Sequence, residues 1–332
     1  MHIAIVILNW NGKELLKRFL PKVLDYSEGA TIYVADNASD DDSVEYIKDN
    51  HPEVKIIKNA ENGGFAKGYN DALKSAEGDL WCLLNSDVEV TPGWLEPIRA
   101  LFKAYPDTAI AQPKILDHKK PAFFEYAGAA GGFIDRLGYP FCRGRIFQSL
   151  EEDHGQYDDI REIFWATGAC MFIRAEIYRL LGGFDEDYFA HQEEIDLCWR
   201  AHNKGYMVRY TGHSRVYHVG GATLNNMNPQ KTFLNFRNSL YSITKNLPKR
   251  KVFPLLLARL ILDGVAGLHF LSQGKLKHFL AIIRAHSSYY KNFMRIFLKR
   301  DEINKDFKYF SCTSVVWSYY VYNKKLFNQI TD

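Results

Sequence analysis

The sequence predicts an α/β fold on a mostly parallel sheet, with a helical segment at its C-terminal end. Three observations carry the prediction. Short β-branched runs alternate with amphipathic stretches through the first hundred residues, polar clusters follow the strand-like runs, and a basic apolar segment closes the chain. In order, residues 3–8, 31–35, 54–57 and 80–84 are strand-like, and residues 14–24, 43–49 and 66–76 between them are helix-like. The pattern is βαβαβαβ, and parallel strands bring their C-terminal ends to one edge, where ligands bind. The polar clusters Asn9-Trp10-Asn11-Gly12, Asp36-Asn37-Ala38-Ser39-Asp40 and Asn85-Ser86-Asp87 all fall at that edge. Such residues also serve turns and helix caps, but three clusters in register on one edge point to a ligand.

A chain of 332 residues, 47% hydrophobic and 24% charged, has enough apolar surface for about two structural units. We divide it at 245/246, with residues 1–112 and 113–245 as halves of one catalytic unit and 246–332 as a helical region. Five widely spaced cysteines without a CxxC pair suggest buried thiols in a reducing compartment. The apolar run at residues 3–8 is too short, and lacks the basic lead, for a secretory signal, so a cytoplasmic location is expected. Net charge is +3, but from Lys245 to Arg300 twelve Lys or Arg face one acid, Asp263, which leaves the remainder at −8. That segregation calls for an anionic partner at the C-terminal segment.

The Gly- and aromatic-rich stretch 113–162 shows no period and reads as long loops with short strands, a lid over the site. Residues 169–174 then read as a strand, 175–181 as a helix, Gly182-Gly183 as a break and 193–203 as a second helix. No GxGxxG follows the first strand and no GxxxxGK[ST] occurs, which argues against nicotinamide-binding and P-loop classes. Asn62-Gly63-Gly64-Phe65-Ala66-Lys67-Gly68 opens a helix, where free N–H groups and Lys67 would meet a phosphate, or where the glycines simply allow helix entry.

The densest acidic cluster is Glu193-Glu194-Ile195-Asp196. Asp196 and Arg200 stand i, i+4 on a helix and predict an ion pair, with Glu193 on the same face and Glu194 about 100° away. Crowded carboxylates repel, which should raise a pKa toward that of a general base. Asp87 offers a hard oxygen ligand for Mg²⁺ or Mn²⁺, and His218 an imidazole that would favour Mn²⁺.

In order, NWNG, VADNASDDD, NGGFAKGYN, LLNSDVEV, TGACMFIRAEIYRLLGGFDEDYF, EEIDLCWR and HVGG resemble the inverting family 2 glycosyltransferases of the GT-A, Rossmann-like fold, especially rhamnosyltransferase-like bacterial members. The resemblance covers residues 1–245. It implies that Trp10 and Asp36 hold the nucleobase, with Asn62, Gly64 and Lys67 near the nucleotide. Asp87 matches the last acid of the family's DxD motif, and Asn85 stands where the first acid would be. Glu194 matches the catalytic base, His218 a metal ligand, and Trp165 and Gly168, with Asn85, a sugar pocket. The implied reaction moves a sugar from a nucleoside-diphosphate sugar, dTDP- or UDP-linked, to a saccharide hydroxyl in cell-surface polysaccharide synthesis, with Mn²⁺ or Mg²⁺ as cofactor. Two rivals stay open, a sugar-nucleotide pyrophosphorylase and a catalytically silent sugar-nucleotide-binding scaffold. NWNG lacks the Gly-rich basic loop of the first.

Beyond residue 245, Leu276, Phe279, Leu280 and Ile283 recur at helical spacing, as do Tyr290, Phe293, Met294 and Phe297, with Lys277, Arg284, Lys291 and Arg295 between them. These basic amphipathic helices read as a monotopic contact with an anionic membrane surface, on the cytoplasmic face of the inner membrane for a lipid-linked acceptor. The alternative is that one face packs internally or forms a dimer. Residues 252–272 are apolar but broken by Arg259, Asp263 and His269, so no clean span is expected. No nucleic-acid motif accompanies the basic residues, and no nucleic-acid partner is expected.

Overall fold

The structure is a computed structural model that describes residues 1–220, 228–301 and 307–331. Its first half runs β1 Ile3–Asn9, α1 Lys13–Tyr26, β2 Ala30–Asp36, α2 Ser43–Asn50, β3 Lys55–Lys58, α3 Gly64–Ala72 and β4 Leu80–Asn85. These strands lie in the order β3-β2-β1-β4, all parallel. β1 is apolar from Ile3 to Leu8 because both its faces are covered. Ile3, Ile5 and Ile7 pack with Leu16, Leu20 and Val23 of α1, and Ala4 and Val6 pack with Ala66, Tyr69 and Ala72 of α3.

The chain continues through β5 Val88–Val90, α4 Leu95–Ala104 and β6 Thr108–Asp117. Four short strands follow, β7 Gly132–Ile134, β8 Pro140–Cys142, β9 Arg145–Ile146 and β10 Ser149–Leu150. Then come β11 Ile160–Glu162, β12 Cys170–Arg174, α5 Ala175–Leu180, α6 Glu193–Asn203 and β13 Met207–His218. β12 enters antiparallel between β4 and β6, and β13 runs parallel to β6 before its end pairs with β5. That last pairing sets His218 opposite Val88, one residue from Asp87.

The stretch 113–162, expected as long loops with short strands, holds short strands joined by loops. Its start completes β6, and β7–β10 form an antiparallel sheet with Phe133, Phe141, Cys142 and Ile146 buried. The absent period reflects strands of two or three residues, too short to show alternation.

Four helices follow among the described residues, α7 Pro229–Asn246, α8 Lys249–Ser272, α9 Leu276–Leu298 and α10 Val315–Tyr320. α7 packs on both α6 and α9, so it joins the two regions divided at 245/246. The final segment returns to the small sheet. Asp135 accepts hydrogen bonds from the N–H groups of Leu137, Tyr139 and Val315, and Phe327 packs against Phe133 and Phe141.

α8 is a single helix, long and apolar enough by composition to cross a membrane, which the broken stretch 252–272 did not suggest. Two of the three interrupting residues are turned inward. Asp263 accepts from the Tyr139 hydroxyl at 2.8 Å and from Arg259 Nε at 3.1 Å, and lies 3.0 Å from His286 Nε2. Arg259 also donates to Ser239 Oγ at 2.7 Å. Both charges are fully buried, so Asp263→Ala leaves Arg259 uncompensated and should cost about 3–5 kcal/mol. Urea unfolding checks this, and a loss below about 1 kcal/mol would refute the network's role.

Candidate functional site

The three polar clusters share one edge, as parallel strands require. Asn9 pairs in register with Asp36, and Leu8 with Asn85. The Asn9 amide donates to Ser39 Oγ at 3.3 Å and reaches Asp36 Oδ1 at 3.5 Å. Asp36 also accepts from the Ser39 N–H and is buried, whereas Trp10 beside it is 49% exposed and presents an open ring. Asn37 links this edge to Asn62, whose Oδ1 also accepts from the Gly64 N–H.

The first turn of α3 is not open to a phosphate. The Phe189 carbonyl accepts from the Phe65 and Ala66 N–H groups at 2.9 and 3.3 Å. Gly64 has φ +78°, and a Cβ there would lie 2.7 Å from that carbonyl and from the Phe189 ring, so glycine is required by backbone and space alike. Lys67 pairs with Asp71 and Glu61 along the helix flank. What reads as a phosphate cradle is therefore a joint between α3 and the loop leading to α6.

At the ends of β4 and β13, His218 Nε2 lies 3.1 Å from Asp87 Oδ1. Glu125 Oε1 sits 3.4 Å from His218 Nδ1, an ion contact rather than a hydrogen bond. All three side chains are buried. Burial works to lower the His218 pKa, yet the two carboxylates carry it up to about 10. Burial likewise opposes ionisation of Asp87, and His218 overcomes it. Arg145 lies over the Tyr126 ring at 3.9 Å, with Lys231 on the same ring at 5.9 Å, so cations border this group.

Once a cation displaces the proton that the two carboxylates hold on His218, the pair fits a divalent cation in one respect. Two neighbouring ligands at about 2.1 Å in octahedral geometry stand about 3 Å apart, the separation of Asp87 Oδ1 and His218 Nε2. Among the described residues no cluster of three or more His, Cys, Asp or Glu forms a metal cage. Gly220 is described beside His218, while Gly221 of the HVGG motif lies outside the described residues.

The acidic cluster divides in two. Asp196 is committed to structure, with Arg200 Nε at 2.8 Å, Lys245 Nζ at 2.9 Å, Asn246 Nδ2 at 2.8 Å and the Tyr188 hydroxyl at 3.2 Å. Burial opposes its ionisation, but Lys245 and Arg200 hold it far below the usual carboxylate range. Glu193 and Glu194 lack such partners. Each keeps a buried Oε2 with no hydrogen bond among the described residues. Burial, then the charge of Glu194, pushes Glu193 well up, and burial pushes Glu194 up to about 7. A carboxyl with an unpaired oxygen and a pKa near neutrality is suited to take up a proton.

The entry to α6 is strained. Phe189, His191 and Gln192 all have positive φ, between 64° and 72°. Asn238, buried in α7, donates to the carbonyls of Tyr188, Ala190 and His191 at 3.1, 3.0 and 2.7 Å, and Arg237 donates to those of Asp187 and Tyr188. Burial lowers the His191 pKa to about 4, so the ring is neutral.

Trp165 is a core residue, its indole N–H bonded to the Phe133 carbonyl and its ring against Gly132. Gly168 lies under the Phe65 ring, close enough that a Cβ would stand 2.9 Å from it. Asn85 stays at the edge, its N–H on the Ala169 carbonyl. Glu125, His191, Lys231 and Asn238 were not singled out from sequence. A polar Asn between Leu234 and Tyr241 in a helix interior was the available signal, because Asn is poorly placed there without a packing or bonding reason.

Residues 4–180 match the family described as Glycosyl transferase family 2. The N-acetylglucosaminyl-diphospho-decaprenol L-rhamnosyltransferase of Mycobacterium tuberculosis (strain CDC 1551 / Oshkosh) is 24% identical over 235 residues, 65% of this chain and 75% of that protein. Among solved structures, GalNAc-T7 with UDP, GalNAc and Mn²⁺ aligns with a TM-score of 0.58 at 17% identity, covering 76% of this chain and 49% of that one. S. aureus TarS 1–349 with UDP-GlcNAc aligns with a TM-score of 0.56 at 14% identity, covering 90% and 84%. These likenesses show the GT-A fold. The match over more than half its length shows that the chain belongs to glycosyltransferase family 2.

Proposed function

We propose that the chain is an inverting glycosyltransferase in which Glu194 is the base. Its donor is a nucleoside-diphosphate sugar, dTDP- or UDP-linked, with rhamnose among the candidates. Its acceptor is a lipid-linked saccharide of a cell-surface polysaccharide. The observation that carries the reading is the pairing of two unlike groups on one fold, a carboxyl tuned to about 7 at the start of α6 and the Asp87–His218 pair at the strand edge. The names of the relatives support the substrate classes. The mycobacterial protein is named for a diphospho-decaprenol acceptor and L-rhamnosyl transfer, and two of the solved relatives, GalNAc-T7 and TarS, hold UDP or a UDP-sugar. A lipid-linked acceptor would place the enzyme peripherally on the cytoplasmic face of the inner membrane.

Asp87 and His218 would hold the cation, Mn²⁺ ahead of Mg²⁺ because one donor is an imidazole. A divalent cation bound there supplies positive charge against the leaving diphosphate. Trp10 offers a stacking face for the base beside Asp36. Glu194 takes the proton from the acceptor hydroxyl as its oxygen attacks the anomeric carbon, and displacement from the opposite face inverts that centre. Burial, then the charge of Glu194, pushes the Glu193 pKa well up, which works against a second full negative charge beside the base.

Glu194→Gln tests the assignment. Turnover should fall by about 10³-fold or more while donor-nucleotide affinity stays within about twofold. Unchanged turnover would sink the base assignment, and a wild type with no turnover on any sugar nucleotide would favour a silent scaffold. Because burial raises the pKa of Glu194 and only its ionised form accepts a proton, kcat/KM should climb with pH through about 7 and then level. A profile flat from pH 5.5 to 8.5 contradicts it. Calorimetric titration with UDP, dTDP and GDP, each with Mn²⁺ and with EDTA, should give one strong ligand that weakens about tenfold or more on chelation. Equal affinity in EDTA would remove the cation from the site.

A further inference from the structure

The described part of the C-terminal region leaves a broad apolar face uncovered. Along α8, Phe253, Leu257, Ile261, Val265 and Leu268 are each about 60% exposed, with Leu260 and Leu271 beside them. From α9, Leu276, Leu280 and Ile283 are also exposed. At the far end of α8, His269 contacts Tyr320, and Trp317, Tyr320 and Tyr322 stand open to solvent. Soluble monomers rarely expose a contiguous apolar patch of this extent without a partner.

We propose that α8 lies flat in an anionic bilayer interface, with this face inserted and the rest of α8 held on the protein. Charge identifies the occupant. Lys249, Arg250 and Lys251 are exposed at the start of α8, and Lys277, Arg284, Lys291 and Arg295 are exposed along α9. The one acid between Lys245 and Arg300, Asp263, is buried, so the face carries no exposed acid to repel lipid phosphates. Pairing with a second copy would bring one cationic rim against another, which disfavours a symmetric dimer. Aromatic residues with a polar tip, such as Trp317, Tyr320 and Tyr322, settle at the level of lipid headgroups.

The packing sets the orientation. The inward side of α8 carries the Arg259–Asp263 pair, bonded to Tyr139, Ser239 and His286. α9 returns beside α8 and is itself tied to α7, through His278 on Thr232 at 2.8 Å and Tyr289 on Thr244 at 2.6 Å. A spanning α8 would have to break these bonds and carry two charges into hydrocarbon. An in-plane helix inserts one face and keeps them all.

The acceptor chemistry of the proposed function gives this surface its purpose, but its test stands apart. The full chain is floated with vesicles of phosphatidylcholine, with and without phosphatidylglycerol, at low and high salt. Flotation is expected with the anionic vesicles and should weaken with salt. The Leu257→Asp/Ile261→Asp double variant alters only exposed positions and should lose binding by about tenfold or more, with nucleotide affinity unchanged. For depth, Leu257→Cys and Leu268→Cys in a Cys312→Ser background, each carrying a fluorophore, should be quenched equally and shallowly by depth-graded lipid quenchers. The proposal is overturned by absence of flotation, by equal flotation of the double variant, by a depth gradient along α8, or by a wild-type dimer that the substitutions dissociate without any lipid binding. Lost nucleotide binding with intact flotation would instead break the glycosyl-transfer reading alone.

Discussion

The catalytic half hangs on one buried carboxylate. Asp196 is wholly enclosed and satisfied by Arg200, Lys245, Asn246 and Tyr188. Enclosing a charge costs several kcal/mol unless opposite charge and hydrogen bonds surround it, so the arrangement is stable only when all its parts are in place. Those parts come from α6, from the end of α7 and from the loop between α5 and α6. Arg200 also fixes the carbonyls of Leu181 and Gly183, and Lys245 also holds Asp185. One ion network thus fixes the direction of α6 and the path of the loop that enters it.

That loop, which leads directly into Glu194, carries backbone strain. Three non-glycine residues at positive φ within four positions are costly, about 1–3 kcal/mol each, and persist only where the surroundings over-determine them. Here the surroundings are explicit. Asn238 binds three carbonyls from one side, and α3 takes the Phe189 carbonyl from the other. The strand edge and the start of α6, which carries Glu194, are therefore parts of one bonded frame. Glu193 and Glu194 then enter an environment where burial works without a cation to offset it, which is why their pKa values rise while that of Asp196 falls.

The parallel half of the sheet was legible because each strand there is buried on both faces and each helix on one, which writes a simple period into the sequence. The Asp196–Arg200 pair was legible for the same reason, as i, i+4 neighbours on a helix. Long-range relations were not. Asn238 meets its carbonyls across nearly fifty residues, and Glu125 meets His218 across more than ninety, distances at which no local pattern carries information. The glycines of α3 were visible, but their reason was not. Gly64 serves contact with Phe189 rather than a phosphate, and only the fold brings the two together. The resemblance put Trp165 in a sugar pocket, and no local pattern could show that its N–H meets the Phe133 carbonyl some thirty residues away.

α8 shows the same limit in composition. Arg259 and Asp263 count equally against a membrane helix and against a buried one, and their count does not say which way they face. The structure gives their direction: both charges are bonded inward and the apolar side of α8 faces outward, an arrangement compatible with resting on lipid without crossing it. α7 then links that surface to the chemistry. Its Thr232 bonds to His278 of α9, its Asn238 holds the loop into Glu194, its Ser239 receives Arg259, and its Lys245 completes the Asp196 network. One helix thus bonds both to the elements beneath the exposed face of α8 and α9 and to the loop that enters α6.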